Sequence, residues 1–484
     1  MKIAHRRLHV ARVAALATLL LASPPGGAEA AQLSRETREA AEAVRDRAVR
    51  ESRAIEWVEG LTDEVGPRLA GSAGDRAAGP WGKALLESLG FSNVRLEPVP
   101  VKVWERGAES GEVVSPVRQR LALTALGGSV PTPKEGVEAE VVEVASLEAL
   151  DDLVKRSPGA CHGKIVFFNR KMERGSSMNG YGDVVPIRGR GASRAAAAGA
   201  IGALIRSVGT DSNRLPHTGA MGYEKDVPKV PAAALSVPDA ELLSRLVARG
   251  RPVKVHFTLD CGDRGDALSA NVIGEVRGRE LPDEIVIVSG HLDSWDLGTG
   301  AVDDGAGCAI AIEAARLVST SARRPRRTVR VVLFANEENG LAGGRTYAAA
   351  HAAEMPRHAA AFEADSGAGG PVGFSWNAGP GAAGVIDEIA RLLLPLRAGK
   401  ARNGGVGGAD ISPLLKQGVP LFGLLQDTSS YFDVHHTAND TFDKVDRATL
   451  DRATAAMAAL LYAVADHPSP LPVIPEAARV GRRD

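Results

Sequence analysis

The sequence predicts an α/β fold built on a largely parallel sheet, with a second, β-rich segment inserted into it. Three observations lead there. Beyond residue 263, strand-like and helix-like runs alternate, and the strand-like runs are apolar throughout, as in strands buried on both faces. Between residues 98 and 262 the texture changes to short β-like runs set off by Gly and Pro. At 484 residues, 44% hydrophobic and 24% charged, the chain is long enough for two cores. Aromatic residues are only 4%, so those cores must be built from Ala, Val, Leu and Ile.

Taken in order, the chain begins with an export signature. "MKIAHRRLHVAR" is basic, "VAALATLLLA" (13–22) is a short apolar core, and "GGAEA" puts small residues before Ala31. This predicts cleavage near Ala30, removal of residues 1–30, and a mature protein that is periplasmic or secreted. The apolar run is short for a bilayer span, and a retained anchor is the alternative. Residues 31–97 form an opening α-β unit: a charged helical stretch (33–61), the polar turn "TDEVGPRLAGSAGD", the helical "AAGPWGKALLESLGF" and the strand-like "NVRLEPVPVKVWERG".

In 98–262 the expected strands are "RLALTALGG", "VEAEVVEVA", "GKIVFFNRK", "VPKVPAAALSV" and "PVKVHFTLD". One strong helix, "GASRAAAAGAIGALIRS" (191–207), interrupts them. From 263 to 467 strands "NVIGEVRG", "EIVIVSG", "TVRVVLFAN", "HAAAFEAD" and "VPLFGLLQ" alternate with helices. These are "DGAGCAIAIEAARLVSTS", "LAGGRTYAAAHAAEM", "GAAGVIDEIARLLLPL", "ADISPLLKQG" and "RATLDRATAAMAALLYAVADH". The tail, 468–484, is Pro-rich.

Charge and cysteine content narrow the function. Lys plus Arg (58) nearly cancels Asp plus Glu (59), so no global field draws nucleic acid or an anionic membrane. The basic run "RRPRRTVR" (323–330) reads as a solvated connector. Three cysteines are too few for a disulfide framework. Cys161 and Cys261 could pair in an exported chain, and Cys308 reads as a small buried thiol on a helix.

The polar residues that carry chemistry cluster at strand ends. "EIVIVSG" delivers His291 and Asp293, the next loop Asp303 and Asp304, "VRVVLFAN" Glu337 and Glu338, "HAAAFEAD" Asp365, and "YFDVHHTANDT" His435 and His436. In a parallel sheet these ends share one edge, where ligands bind. Singly, each piece has a plain account: a surface pair, a helix N-cap, a solvated acidic loop. Together, so many carboxylates would repel unless cations sat between them. Imidazole and carboxylate without thiolate suit zinc, with manganese or cobalt as alternatives. A carboxylate bridging two ions accounts for the excess of acids over histidines.

The ordered motifs "GHLDSW", "GAVDDGAG", "FANEENGLAGGRTYA", "EADSG" and "HHTANDT" resemble the M28 family of two-zinc exopeptidases, most closely its carboxypeptidase branch. "LTDEVGPRLAGSAG" (61–74) resembles that family's N-terminal signature. The resemblance implies a phosphorylase/hydrolase-like three-layer α/β/α fold with a mixed, largely parallel central sheet. It also implies two Zn²⁺ ions: His291 and Asp365 on one, Glu338 and a late histidine on the other, Asp303 bridging. Family spacing, His-Thr-x-x-Asp-Thr, selects His436 over His435, which would line the cleft.

By the same resemblance Glu337 is the catalytic base, Asp293 hydrogen-bonds and orients His291, and Asp440 supports the loop. In Gly408-Ala409-Asp410 the family's usual Ser is Ala, leaving Asp410 a supporting acid or simply part of a helix start. Residues 98–262 resemble a protease-associated (PA) domain. The implied substrate is a dipeptide or short peptide, with an aminopeptidase on longer peptides as the second reading and a metal-free binding scaffold as the third. A homodimer is also implied.

Overall fold

A computed structural model describes residues 32–176 and 178–479, so the export signal of residues 1–30 and the end of the tail lie outside the described residues. Helix α1 (Arg35–Glu51) starts at Ser34, whose hydroxyl accepts from the Thr37 amide. Then come α2 (Ala54–Gly60) and α3 (Ala73–Ser88), the latter capped by Ser72. Two long strands follow from opposite sides of the 98–262 segment: β1 (Ser92–Ser115) and, much later, β8 (Lys254–Val276). They pair antiparallel along nearly their full length.

Between them lie β2 (Gln119–Leu121), β3 (Leu123–Ala125), β4 (Val137–Val144), α4 (Leu147–Arg156) and β5 (Ile165–Phe168). After these come α5 (Asn179–Ala197), β6 (Gly202–Arg206), β7 (Ala232–Leu235) and α6 (Val237–Val247). Strands β4, β5, β6 and β7 run parallel, and β3 closes that side antiparallel.

The remaining elements are β9 (Leu281–His291), α7 (Ala306–Ser319), β10 (Arg327–Phe334), α8 (Ala342–Ala350) and β11 (His358–Glu363). They continue with β12 (Pro371–Asn377), α9 (Ala383–Leu392), β13 (Lys400–Asn403), β14 (Leu421–Gln426) and α10 (Arg447–Asp466). The strand order here is β13-β12-β14-β11-β9-β10-β8. Strands β10, β9, β11 and β14 are mutually parallel, with antiparallel pairings only where β12 meets β14 and β8 meets β10.

Successive residues of β9 point to opposite faces, and both faces are covered. Val286 and Val288 join the core with Ile310 of α7 and Leu460 of α10. Ile285 and Ile287 pack with Tyr347 of α8, Leu414 and Leu415. This is the expected three-layer α/β/α arrangement on a mixed, mostly parallel sheet.

Several local expectations are corrected. The helix expected over 191–207 is α5, ending at Ala197. Gly199 adopts φ +84° and turns the chain, and residues 202–206 are a fully buried strand between β5 and β7. Small apolar residues fit both states, and the left-handed glycine decides between them. Among its described residues the 98–262 segment holds three helices rather than one: Ser146 and Ser236 cap α4 and α6 by accepting from the Ala149 and Asp239 amides.

"PVKVHFTLD" and "NVIGEVRG" are one continuous strand, β8, because β1 pairs across both. Strands β12 and β13 were not expected, and "ADISPLLKQG" folds only as a 3₁₀ turn, Ser412–Gln417. All three cysteines are free and buried, so Cys161 and Cys261 do not pair. The run 323–330 is no solvated connector. Arg323 pairs with Asp466, while Arg327 and Arg330 open β10 as buried residues paired with Glu284 and Glu275. Among the described residues no helix is long and apolar enough to cross a membrane.

Candidate metal centre

Parallel alignment of β9, β10, β11 and β14 sends all four carboxyl ends to one edge. β9 ends on His291 itself. The loop before α7 supplies Asp303, the turn after β10 supplies Glu337 and Glu338, the residue pair after β11 reaches Asp365, and the loop after β14 carries His435 and His436.

Asp303 is the meeting point. Its Oδ1 lies 3.2 Å from His291 Nε2, and its Oδ2 lies 3.2 Å from His436 Nε2 and 3.5 Å from His435 Nε2. His291 Nε2 is 3.8 Å from Asp365 Oδ1, and His436 Nε2 is 3.0 Å from Glu338 Oε2. His291, Asp303, Glu338, His435 and His436 are buried, and Asp365 is partly so. Two ligand triads result, His291-Asp303-Asp365 and Asp303-His435-His436, the donor atoms of each within 4.8 Å of one another.

Neighbouring groups hold this geometry. Of the adjacent acids in "GAVDDGAG", Asp304 has the plain role: its carboxylate accepts from the His291 and Gly307 amides, fixing the strand end to the start of α7. Asp440 accepts from the Val302 and Asp303 amides at 2.7 and 3.1 Å, holding the Asp303 loop from across the site. Asp293 departs from expectation. Its main-chain carbonyl, not its carboxylate, faces His291 Nδ1 at 3.1 Å, and the carboxylate stays 3.8 Å away. That carboxylate instead accepts from the Glu337 and Glu338 amides at 2.9 and 3.3 Å, and so shapes the turn bearing the proposed base. Asp410 is fully buried with neither carboxylate oxygen partnered among the described residues. Its amide and that of Ile411 donate to Glu363.

Sequence reasoning missed other residues that build the site. Arg68, fully buried, donates to the carbonyls of Leu292, Gly66, Thr299 and Gly300, pinning the loop that follows His291. It sits inside the quoted "LTDEVGPRLAGSAG", where a lone Arg between turn residues was the available signal. Trp295, whose ring centroid is 5.7 Å from that of His436, and Tyr181, 5.2 Å from His435, wall the late histidines. The two histidine rings stack at 3.5 Å. A small cavity is lined by Trp295, Gly298, Gly300, Asp303, Glu338 and His436.

Charge crowding shows in the titration behaviour. Burial pushes Glu337 up to about 8 and Asp293 up to about 7, with neighbouring acids adding to burial. Burial likewise raises Asp365 and Asp304 well above the usual carboxylate range. Burial opposes ionisation of Asp303, yet the His291 and His436 imidazoles hold it well below that range. Burial also opposes charge on His436, but Glu338 and Asp303 raise it to about 9. His435 is driven well down by burial and by its charged neighbour His436.

The donor set fits zinc: buried imidazoles and carboxylates, no thiolate, and buried oxygens of Asp303 and Glu338 without hydrogen-bond partners.

Residues 271–461 match the family model described as peptidase family M28. The chain is 39% identical to carboxypeptidase Q of Bos taurus over 422 residues, 87% of each chain. It superposes on the crystal structure of a peptidase M28 precursor from Shewanella amazonensis with TM-score 0.88 and 43% identity, covering 91% of this chain and 99% of that one. A zinc aminopeptidase from Bacillus subtilis shares the fold at 20% identity and TM-score 0.62, over 87% of this chain and 97% of that one. By this extent of likeness, joined to the cluster at the sheet edge, the chain belongs to peptidase family M28 and is a zinc metallo-exopeptidase.

Proposed function

We propose that the protein is an exported two-zinc exopeptidase that hydrolyses dipeptides or short peptides. The observation that carries this reading is the position of Asp303 between two groups, with His291 at Oδ1 beside Asp365 and His436 at Oδ2 beside Glu338. His291 and Asp365 would hold one ion, Glu338 and His436 the other, and Asp303 both. His436 is preferred to His435 because its Nε2 meets both Asp303 and Glu338, whereas His435 meets Asp303 alone, at the longer distance. Likeness to carboxypeptidase Q over most of both chains supports a peptide substrate. Export rests on the N-terminal signature. Residues 98–262 are read as a PA-like unit inserted between residues 31–97 and 263–467 of the peptidase domain.

Bound zinc would supply Lewis acidity, polarising the scissile carbonyl and acidifying the attacking water. Glu337, as the ionised carboxylate, takes that water's proton and returns it to the departing amine; the burial that raises it to about 8 without metal would be offset by cations bound beside it. Asp293 fixes the Glu337–Glu338 turn through its two amide contacts, so the base and the neighbouring ligand keep their separate directions. Arg68 and Asp440 hold the loops that present Asp303.

The test is hydrolysis of a free dipeptide, the same dipeptide N-blocked, and a longer peptide, each with and without chelator. Chelator-sensitive cleavage of the free dipeptide is expected to exceed release of N-terminal residues from the longer peptide. The reverse order assigns an aminopeptidase, and chelator-insensitive or absent cleavage overturns the reading.

A further inference from the structure

His436 is gripped by the 98–262 segment. Thr218 meets it twice: the Thr218 amide donates to the His436 carbonyl at 3.0 Å, and the Thr218 carbonyl lies 3.2 Å from His436 Nδ1. A carbonyl can only accept, so Nδ1 carries the proton, and in the neutral ring the lone pair is left on Nε2, facing Asp303 and Glu338. His436 itself adopts φ +61°, a left-handed backbone that a non-glycine residue holds only when its surroundings impose it.

Arg106, in β1, fixes Thr218. Its Nη2 donates to Thr218 Oγ1 at 3.1 Å, and Thr218 Oγ1 donates to the Ala125 carbonyl at 2.9 Å. The same guanidinium also donates to Ala125 O at 2.7 Å and to Thr124 Oγ1 at 2.6 Å. On its other side it forks onto Asp296, Nε to Oδ2 at 2.8 Å and Nη2 to Oδ1 at 3.0 Å. Asp296 follows Trp295, whose ring lies beside His436 and against Gly127, where a Cβ would come 1.9 Å from a ring carbon. The Arg106 side chain is 8% exposed. One buried cation therefore joins the loop that follows His291 to the strand and turn that set His436.

We propose that Arg106 is a positioning residue for His436, acting through Thr218 and through Asp296–Trp295 to set the tautomer and aim of that imidazole. The ion assigned to His436, Glu338 and Asp303 is then held by two separate parts of the chain. Arg106 makes no hydrogen bond to His291 or Asp365 among the described residues, so the other ion, assigned to that pair, is expected to be held as before. This rests on the two-ion reading above. A buried ion pair that only staples segments together would weaken the fold without choosing between the ions. A positioning residue weakens one of them.

The test is zinc titration of metal-free full-length protein against a competing chelator, with cobalt absorption as a second readout, for wild type, Arg106→Met and Arg106→Lys. Expected are two ions in wild type. In Arg106→Met one ion is held with unchanged affinity and the other about 10–100-fold more weakly, with the cobalt spectrum of the weakened site altered. Arg106→Lys, which cannot fork, falls between. If Arg106→Met does not fold, Asp296→Asn is read instead, with the same selective loss at smaller size. Two ions in wild type with both or neither weakened in the variant overturns the positioning role alone. Fewer than two ions in wild type overturns the two-ion reading and this proposal with it.

Discussion

Asp303 and His436 stand 3.2 Å apart, carboxylate oxygen to imidazole Nε2, at the centre of a buried cluster in which burial pushes Asp304, Glu337 and Asp365 toward neutrality. Without metal, protons take the place of cations. His436, raised to about 9, is protonated at pH 7, whereas a ligand must be neutral. Zinc binding is therefore expected to release protons and to tighten as pH rises toward 9. Calorimetric titration in two buffers of different ionisation heat measures the release directly, and a pH-independent affinity would contradict it.

The same shifts set the stability of the metal-free chain. A raised imidazole stabilises fully below its unfolded value of about 6.5, and that stability is lost as pH climbs through about 9. Glu337 and Asp293, raised to about 8 and about 7, act in the same direction from their unfolded values upward. The metal-free Tm should fall steadily between about pH 5 and 9. Thermal melts with and without zinc check this, the loaded protein showing the smaller slope.

Glu337→Gln keeps the shape of the side chain and removes its basicity. Turnover is expected to drop by about 10²–10⁴-fold while zinc content is unchanged. Steady-state kinetics beside metal analysis separates the two, and full activity in this variant would remove Glu337 from the mechanism.

Arg68→Met should destabilise without touching a ligand. It strands the carbonyls of Gly66, Leu292 and Thr299 inside the protein, each costing about 1–3 kcal/mol before relaxation, while the Gly300 carbonyl keeps the Gly305 amide. A loss of about 3 kcal/mol or more in denaturant unfolding is expected. Arg68→Lys should recover little, since one ammonium cannot span the four acceptors.

How far the sequence could be read follows from what each residue depends on. Residues 285–288 of β9 and 331–334 of β10 are apolar on both faces, a pattern few structures but a buried parallel strand satisfy, and the strand ends carry polar residues whose types alone imply cations. Such residues are legible because periodicity and chemistry are local. The 202–206 strand reads as helix from composition because Ala, Gly and Leu serve helix and sheet alike, and only the turn at Gly199 separates them. The motif places Asp293 beside His291 but does not say by which atom: whether a carbonyl or a carboxylate reaches His291 is set by loop geometry that residue type does not encode. Arg68, Arg106 and Thr218 act on residues far away along the chain, and nothing in their own surroundings announces it.

The central claim is that Asp303 holds two zinc ions at once. Metal analysis of the zinc-loaded protein and of Asp303→Asn tests it most directly. Two ions per chain in the wild type, with both sites weakened in the variant, is the expected result. A single ion in the wild type, or two ions retained at full affinity by Asp303→Asn, would contradict it.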